Sequence, residues 1–104
     1  MIKVFQKGAY VPPVSENAAD FPDFSFGVFR DPAGQVWADF IHDTDEFVVV
    51  AEGELEIEVA GEVAQCCPGD LVKIPAGASH SLRTSMNGGS VWYYGYGRFG
   101  GNHD

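Results

Sequence analysis

Apolar and polar residues alternate with a period of two over much of this chain, the mark of strands with one buried face. The clearest case is Glu54-Leu55-Glu56-Ile57-Glu58-Val59, where Leu55, Ile57 and Val59 are predicted to face a core and the glutamates water. Phe24 to Phe29 alternates in the same way. Gln35 to His42 does so again, with Val36, Ala38, Phe40 and His42 expected on one face. Glu46 to Ala51 differs. Apart from Glu46 it is apolar at every position, which predicts a strand covered on both sides, by a barrel interior and by a second layer or partner. Leu71 to Ile74 and the aromatic run Ser90 to Tyr96 complete the set.

Turn signals separate these runs. Asp31-Pro32-Ala33-Gly34, the hairpin candidate Ala60-Gly61-Glu62, Pro68-Gly69-Asp70 and Pro75-Ala76-Gly77 each place proline or glycine where a tight turn needs it. Seven or eight short strands with essentially no helix predict an all-β fold, a small antiparallel barrel or sandwich. Pro12, Pro13 and Pro22 interrupt the first stretch, so residues 1–23 are expected to form an N-terminal arm or edge strand. Residues 24–99 then form the barrel and 100–104 a flexible tail.

Composition narrows the functional classes. A chain of 104 residues and 11.2 kDa buries roughly 60–70% of its unfolded surface, enough for one modest core. That leaves no room for a second domain to hold a dinucleotide. Fifteen acidic residues against six basic give a net charge of -9, which argues against nucleic acid and anionic membranes as partners. Part of that surplus is the wet strand face of Glu54, Glu56 and Glu58. No apolar run approaches the roughly 20 residues of a membrane span, and the start MIKVFQKGAY has no signal-peptide core. A soluble, cytoplasmic protein is expected. The adjacent Cys66 and Cys67 suit two reduced thiols, one facing inward, better than a strained bridge. No CxxC spacing supports a zinc ribbon, and no nucleophile elbow supports a serine hydrolase.

The candidate chemistry lies in His42, Glu46 and His80. His42 and Glu46 flank the turn Asp43-Thr44-Asp45, and a kink there lets both face one interior, where His80 can join them. Two imidazoles and a carboxylate form a metal site with open coordination positions. The bland reading is two strand-end histidines at the surface. Asp39, Asp43 and Asp45 are potential substitute ligands, but Asp39 alternates away from the His42 face, and the other two suit turn caps.

The framework around these residues is more specific. Gly34, Phe40, His42, Glu46 and Gly53 follow G-x5-F-x-H-x3-E-x6-G, and Gly69, Pro75, Gly77, His80 and Thr84 follow G-x5-P-x-G-x2-H-x3-T. These resemble the two signature motifs of the cupin superfamily, G-x5-H-x-H-x3/4-E-x6-G and G-x5-P-x-G-x2-H-x3-N. The resemblance is to small single-domain bacterial cupins, over about Gly34 to Thr84. It implies a jelly-roll β-barrel in which His42, Glu46 and His80 hold one divalent metal (iron, manganese, nickel or zinc). It departs from the family at two positions: Phe40 stands where the first metal-binding histidine is expected, and Thr84 where the asparagine is. A three-ligand site therefore persists, or the metal is lost and the three residues form a polar cluster.

Phe40 with Tyr94, Tyr96 or Trp92 would make an apolar wall for a small organic ligand, although ordinary core or interface packing explains the same residues. Three functional classes follow. One is a small cupin binding a metal, a small molecule or both; one is a metal-dependent enzyme of dioxygenase or isomerase type; one is a metal-free ligand-binding or regulatory module. No catalytic acid or base is identifiable beyond the tyrosines. The doubly apolar strand, the arm and the resemblance together point to a homodimer.

Overall fold

Turn chemistry decides where the strands stop, and the turns fall where the sequence places them. In the computed structural model, which describes residues 3–18 and 21–99, Ala60 and Gly61 both have positive φ (50° and 90°). That pair makes a two-residue hairpin turn whose twist matches its flanking strands. Pro68-Gly69 turns with Gly69 at φ 97°, and Asp70 N donates to Cys67 O at 3.0 Å to close it. No other residue fits at position 69, because a Cβ there would collide with Tyr10 O.

Between the turns run nine strands: β1 (Phe5–Gln6), β2 (Gly27–Asp31), β3 (Val36–Phe40), β4 (Asp45–Glu52), β5 (Leu55–Val59), β6 (Glu62–Cys66), β7 (Leu71–Ile74), β8 (His80–Thr84) and β9 (Ser90–Gly97). One 3-10 turn, Glu16–Ala18, is the sole helical piece among the described residues. The strands form a five-stranded sheet in the order β1-β7-β4-β9-β2 and a four-stranded sheet in the order β3-β8-β5-β6. Every pairing is antiparallel. The two sheets enclose one core, with Val48, Val50, Val72, Ile74 and Trp92 from the first packed against Leu55, Ile57, Val59, Cys66 and Leu82 from the second.

β4 is buried on both faces, as its composition requires. Val48 and Val50 point between the sheets, while Phe47, Val49 and Ala51 point outward into a second cluster with Val14, Leu71 and Tyr93. Its outer cover comes from the same chain: Tyr10, Phe21, Phe24 and Phe99 pack on it, Phe21 stacks on Phe47 at 4.4 Å, and Tyr93 donates its hydroxyl hydrogen to Val14 O. The doubly apolar strand thus needs no partner copy to explain it.

The arm both wraps and pairs. β1 adds an edge to the five-stranded sheet beside β7, and Asp70 ties the following turn down. Its carboxylate accepts from Gly8 N and Cys67 N, each at 2.8 Å, and pairs with Lys7. Burial alone would raise the Asp70 pKa, but the Lys7 ammonium and the Cys67 and Gly8 N–H groups hold it below the usual aspartate value.

Two expectations need correcting. The strand expected from Phe24 starts only at Gly27, because Phe24 joins Phe21, Phe47 and Phe99 instead. The face expected to carry Val36, Ala38, Phe40 and His42 does not exist. The β3–β8 register shifts between Trp37 and Phe40, with Asp39 at φ 60°. This bulge inserts a residue and flips the alternation. Trp37 and Phe40 therefore lie on the same side of the strand, Phe40 at the open edge, while Val36 is 52% exposed on the other. The tail 100–104 lies outside the described residues. Cys66 is buried and Cys67 exposed, both as free thiols, and burial pushes the Cys66 thiol up to about 11, which leaves it an inert core residue.

Asp70→Ala is expected to lower stability by about 2–3 kcal/mol, mostly from the two orphaned N–H groups, since the half-exposed Lys7 pair adds little. Because the folded carboxylate has the depressed pKa, its contribution is present above the ordinary aspartate range and is lost as the pH falls through and below it. Urea denaturation of both proteins across that range checks this: the gap between them should close in acid.

Candidate metal centre

Period-two alternation along β4 places Glu46 on the same inner face as Val48 and Val50. It is the first inward residue of that strand, so its carboxylate lies at the end of the barrel. His80 opens β8 and stands across from Phe40 on β3 and Val59 on β5. His42 lies in the connection from β3 to β4, which is fixed where Gly77 N donates to His42 O at 2.8 Å. Tyr96, near the end of β9, pairs with Glu46. Four separate elements thus deliver one cluster.

His42, Glu46 and His80 each offer a ligand atom within 4.8 Å of the others. Glu46 Oε1 lies 3.3 Å from His80 Nε2 and 3.7 Å from His42 Nε2. It is aligned with neither as a hydrogen bond, and Glu46 is only 3% exposed, so a buried carboxylate oxygen stands without a partner. Such an atom is costly unless a cation or donor meets it. His80 Nδ1 lies 3.2 Å from Ala78 O. A carbonyl only accepts, so the proton sits on Nδ1, and in the neutral ring the Nε2 lone pair faces the Glu46 oxygen. Burial opposes a charge on His80, but Glu46 and the Ala78 carbonyl outweigh it and raise its pKa. The donor set, the orphaned oxygen and the fixed tautomer all fit a divalent cation.

Beside the cluster lies a cavity of about 250 Å³ lined by Phe29, Trp37, Phe40, His42, Glu46, His80, Trp92 and Tyr96. Phe40, 38% exposed, stands at its rim with its ring 6.2 Å from both His42 and His80. Tyr96 meets His42 edge-on at 4.9 Å. Burial, then the Glu46 carboxylate and Tyr94, push its phenol up to about 12, so it stays protonated and able to donate. Tyr94 does not line the cavity; it stacks on Phe29 behind the wall, at 4.9 Å.

Both tryptophans converge on one atom. Trp37 Nε1 and Trp92 Nε1 donate to Asp31 Oδ2 at 3.0 and 2.9 Å. Asp31, Trp37 and Phe29 carry no motif signal and go unnoticed in the sequence, where Asp31 reads as part of a turn. The bulge in β3, invisible to alternation, is what brings Trp37 in. The three candidate aspartates stay out of the cluster. Asp45 caps the backbone of Ala76 and Phe99, Asp39 N binds Ser81 Oγ, and Asp43 is exposed. Thr84, at the asparagine position, accepts from Gln35 N and donates to Pro32 O, a structural brace.

Residues 27–93 match the cupin domain family. The chain is a cupin. Its fold is similar to several solved structures, all below 25% identity, which bears on fold alone. TT1209 from Thermus thermophilus aligns at TM-score 0.67 and 23% identity, over 78% of this chain and 79% of that one. The cupin-2 domain protein Rru_A2000 from Rhodospirillum rubrum aligns at 0.69 and 20%, over 73% and 51%. The DMSP lyase DddQ from Ruegeria pomeroyi aligns at 0.67 and 24%, over 79% of this cupin but only 41% of the lyase. No curated protein matches the sequence. No helix among the described residues is long and apolar enough to cross a membrane.

Asp31→Ala would leave one buried and one part-buried indole N–H group unpaired and should cost about 2–3 kcal/mol. Both tryptophans of the chain are affected, so the fluorescence of the folded variant should shift to longer wavelength; an unchanged spectrum would contradict the shared bond.

Proposed function

We propose that this cupin binds one divalent metal through His42, Glu46 and His80 and presents it to a small organic ligand in the adjoining cavity. The observation that supports this is the buried Glu46 oxygen, set between two imidazole nitrogens and hydrogen-bonded to neither. A metal would supply Lewis acidity toward an oxygen donor of the ligand. The protein's own share is positional. Ala78 holds the His80 ring, the hydroxyl of Tyr96 offers a proton donor at the cavity wall, and Phe40 screens the rim from water.

Three protein ligands leave room for a ligand atom, and iron, manganese, nickel and zinc all suit two imidazoles and a carboxylate. Among the described residues the cavity wall holds no carboxylate, lysine or histidine beyond those three, so the site resembles a binding centre more than an acid–base catalyst. A homodimer belongs to this reading through the family, and size-exclusion chromatography giving a clean monomer would remove it.

Elemental analysis of protein purified without chelator or affinity nickel tests the centre. Near-stoichiometric divalent metal is expected, with His80→Ala reducing it severely; trace metal unchanged by that substitution would refute the site. The departure at Phe40 allows a converse experiment. Residue 40 stands opposite His80 in the β3–β8 register, so Phe40→His adds a third imidazole and a fourth ligand. It should tighten metal binding at least roughly tenfold, since even outer partners of a metal site are worth that much.

A further inference from the structure

The aromatic half of the cavity has a chemistry of its own. We propose that it binds a small onium cation, a quaternary ammonium or sulfonium group, among Phe29, Trp37, Phe40, Trp92 and Tyr96. This rests on the cavity being a ligand site but not on the metal.

The lining rings are packed as neighbours of one another. Phe29 meets Trp37 at 5.6 Å, Trp37 meets Phe40 at 6.1 Å, and Phe40 meets His42 at 6.2 Å. His42 then meets Tyr96 at 4.9 Å, while Tyr94, behind the wall, backs Tyr96 and Phe29 at 5.7 and 4.9 Å. Trp92 closes against Phe29 at 4.8 Å. An aromatic face attracts a cation within roughly 6 Å of its centroid, and Phe29, Trp37, Phe40, Trp92 and Tyr96 all line this cavity.

Three observations favour a cation without N–H groups over other occupants. Asp31 takes both indole N–H groups, so the tryptophans present carbon surface rather than donors to the cavity. An amine with N–H groups finds no acceptor on the phenyl and indole rings and is drawn instead to Glu46 or the Tyr96 oxygen at the other end of the cavity, whereas an onium group needs no acceptor and rests on the rings. Among the described residues no lysine or arginine lines the cavity to repel a cation. Those beside described carboxylates are engaged elsewhere, Lys7 with Asp70 and Arg83 with Glu56 and Glu58. Finally, the Asp31 carboxylate sits at the N–H edge of both indoles, which drives electron density toward their faces and favours a positive charge over a neutral group of equal shape.

Choline and its uncharged isostere 3,3-dimethylbutan-1-ol separate charge from shape. Each is titrated into the intact protein, before and after chelator treatment, with quenching of tryptophan fluorescence as the readout. Choline is expected to bind at least about tenfold more tightly than the isostere in both states, the effect of one or two cation–aromatic contacts. Equal affinities, tighter binding of the isostere, or no binding of either overturns the proposal. Tetramethylammonium and trimethylsulfonium, titrated alongside, distinguish the two onium classes. Phe29→Leu should cut the choline preference by at least about threefold, and Phe40→Leu at the exposed rim repeats the test if the first variant does not fold; an unchanged preference in a folded variant counts against the cage. Metal content is counted separately, so a chelated protein that keeps its choline preference supports the cage even if the metal centre fails.

Discussion

Everything in this barrel depends on β4 being covered on both faces. A central strand in a two-layer sandwich has one face inside; this one has Phe47, Val49 and Ala51 on the other, and these need their own roof. The roof fixes the arm, the arm fixes the β6–β7 turn through Asp70, and the strand held between them has its register set by two apolar rows. Since side chains alternate, a strand locked in this way has no freedom to turn Glu46 toward water. The buried carboxylate is a consequence of where the valines must go.

That arrangement explains how a costly group persists. A carboxylate at 3% exposure facing two imidazoles is unfavourable unless the charges are shared. Asp31 presents the contrasting case, a buried carboxylate whose Oδ2 accepts from two indole donors. Asp31, outside the cavity lining, accepts two hydrogen bonds and serves as a scaffold; Glu46, in the lining, leaves a buried oxygen without one, and is where the proposed metal would sit.

Much of this is legible in the sequence, for reasons tied to particular residues. Leu55, Ile57 and Val59 alternate cleanly because β5 is solvated on one side, and the turns at Ala60-Gly61 and Pro68-Gly69 announce themselves because few residues tolerate positive φ. The set His42, Glu46 and His80 follows from motif spacing, which survives because strand lengths and turns are fixed by the same geometry. What alternation cannot supply is the bulge at Asp39. A residue inserted into a ladder leaves no compositional trace, so alternation puts Trp37 on the wrong face and reveals only half of the aromatic wall. Asp31 is hidden differently: its role depends on two tryptophans, one of them 61 residues away, and no local pattern encodes that.

The arm's attachments also bear on how the chain acquires its structure. Gly8 waits for Asp70, 62 residues on, and Val14 for Tyr93, 79 residues on. Contacts of such long range are formed late and against a large loop-closure entropy. While a ribosome is still making the second half of the domain, the strand of Phe47, Val49 and Ala51 has neither β7 nor β9 beside it, and the Asp70 and Tyr93 anchors of the arm that covers it do not yet exist. The same strand that holds Glu46 in place is, for that interval, a sticky edge, and the polypeptide depends on rapid completion to keep it from meeting another copy.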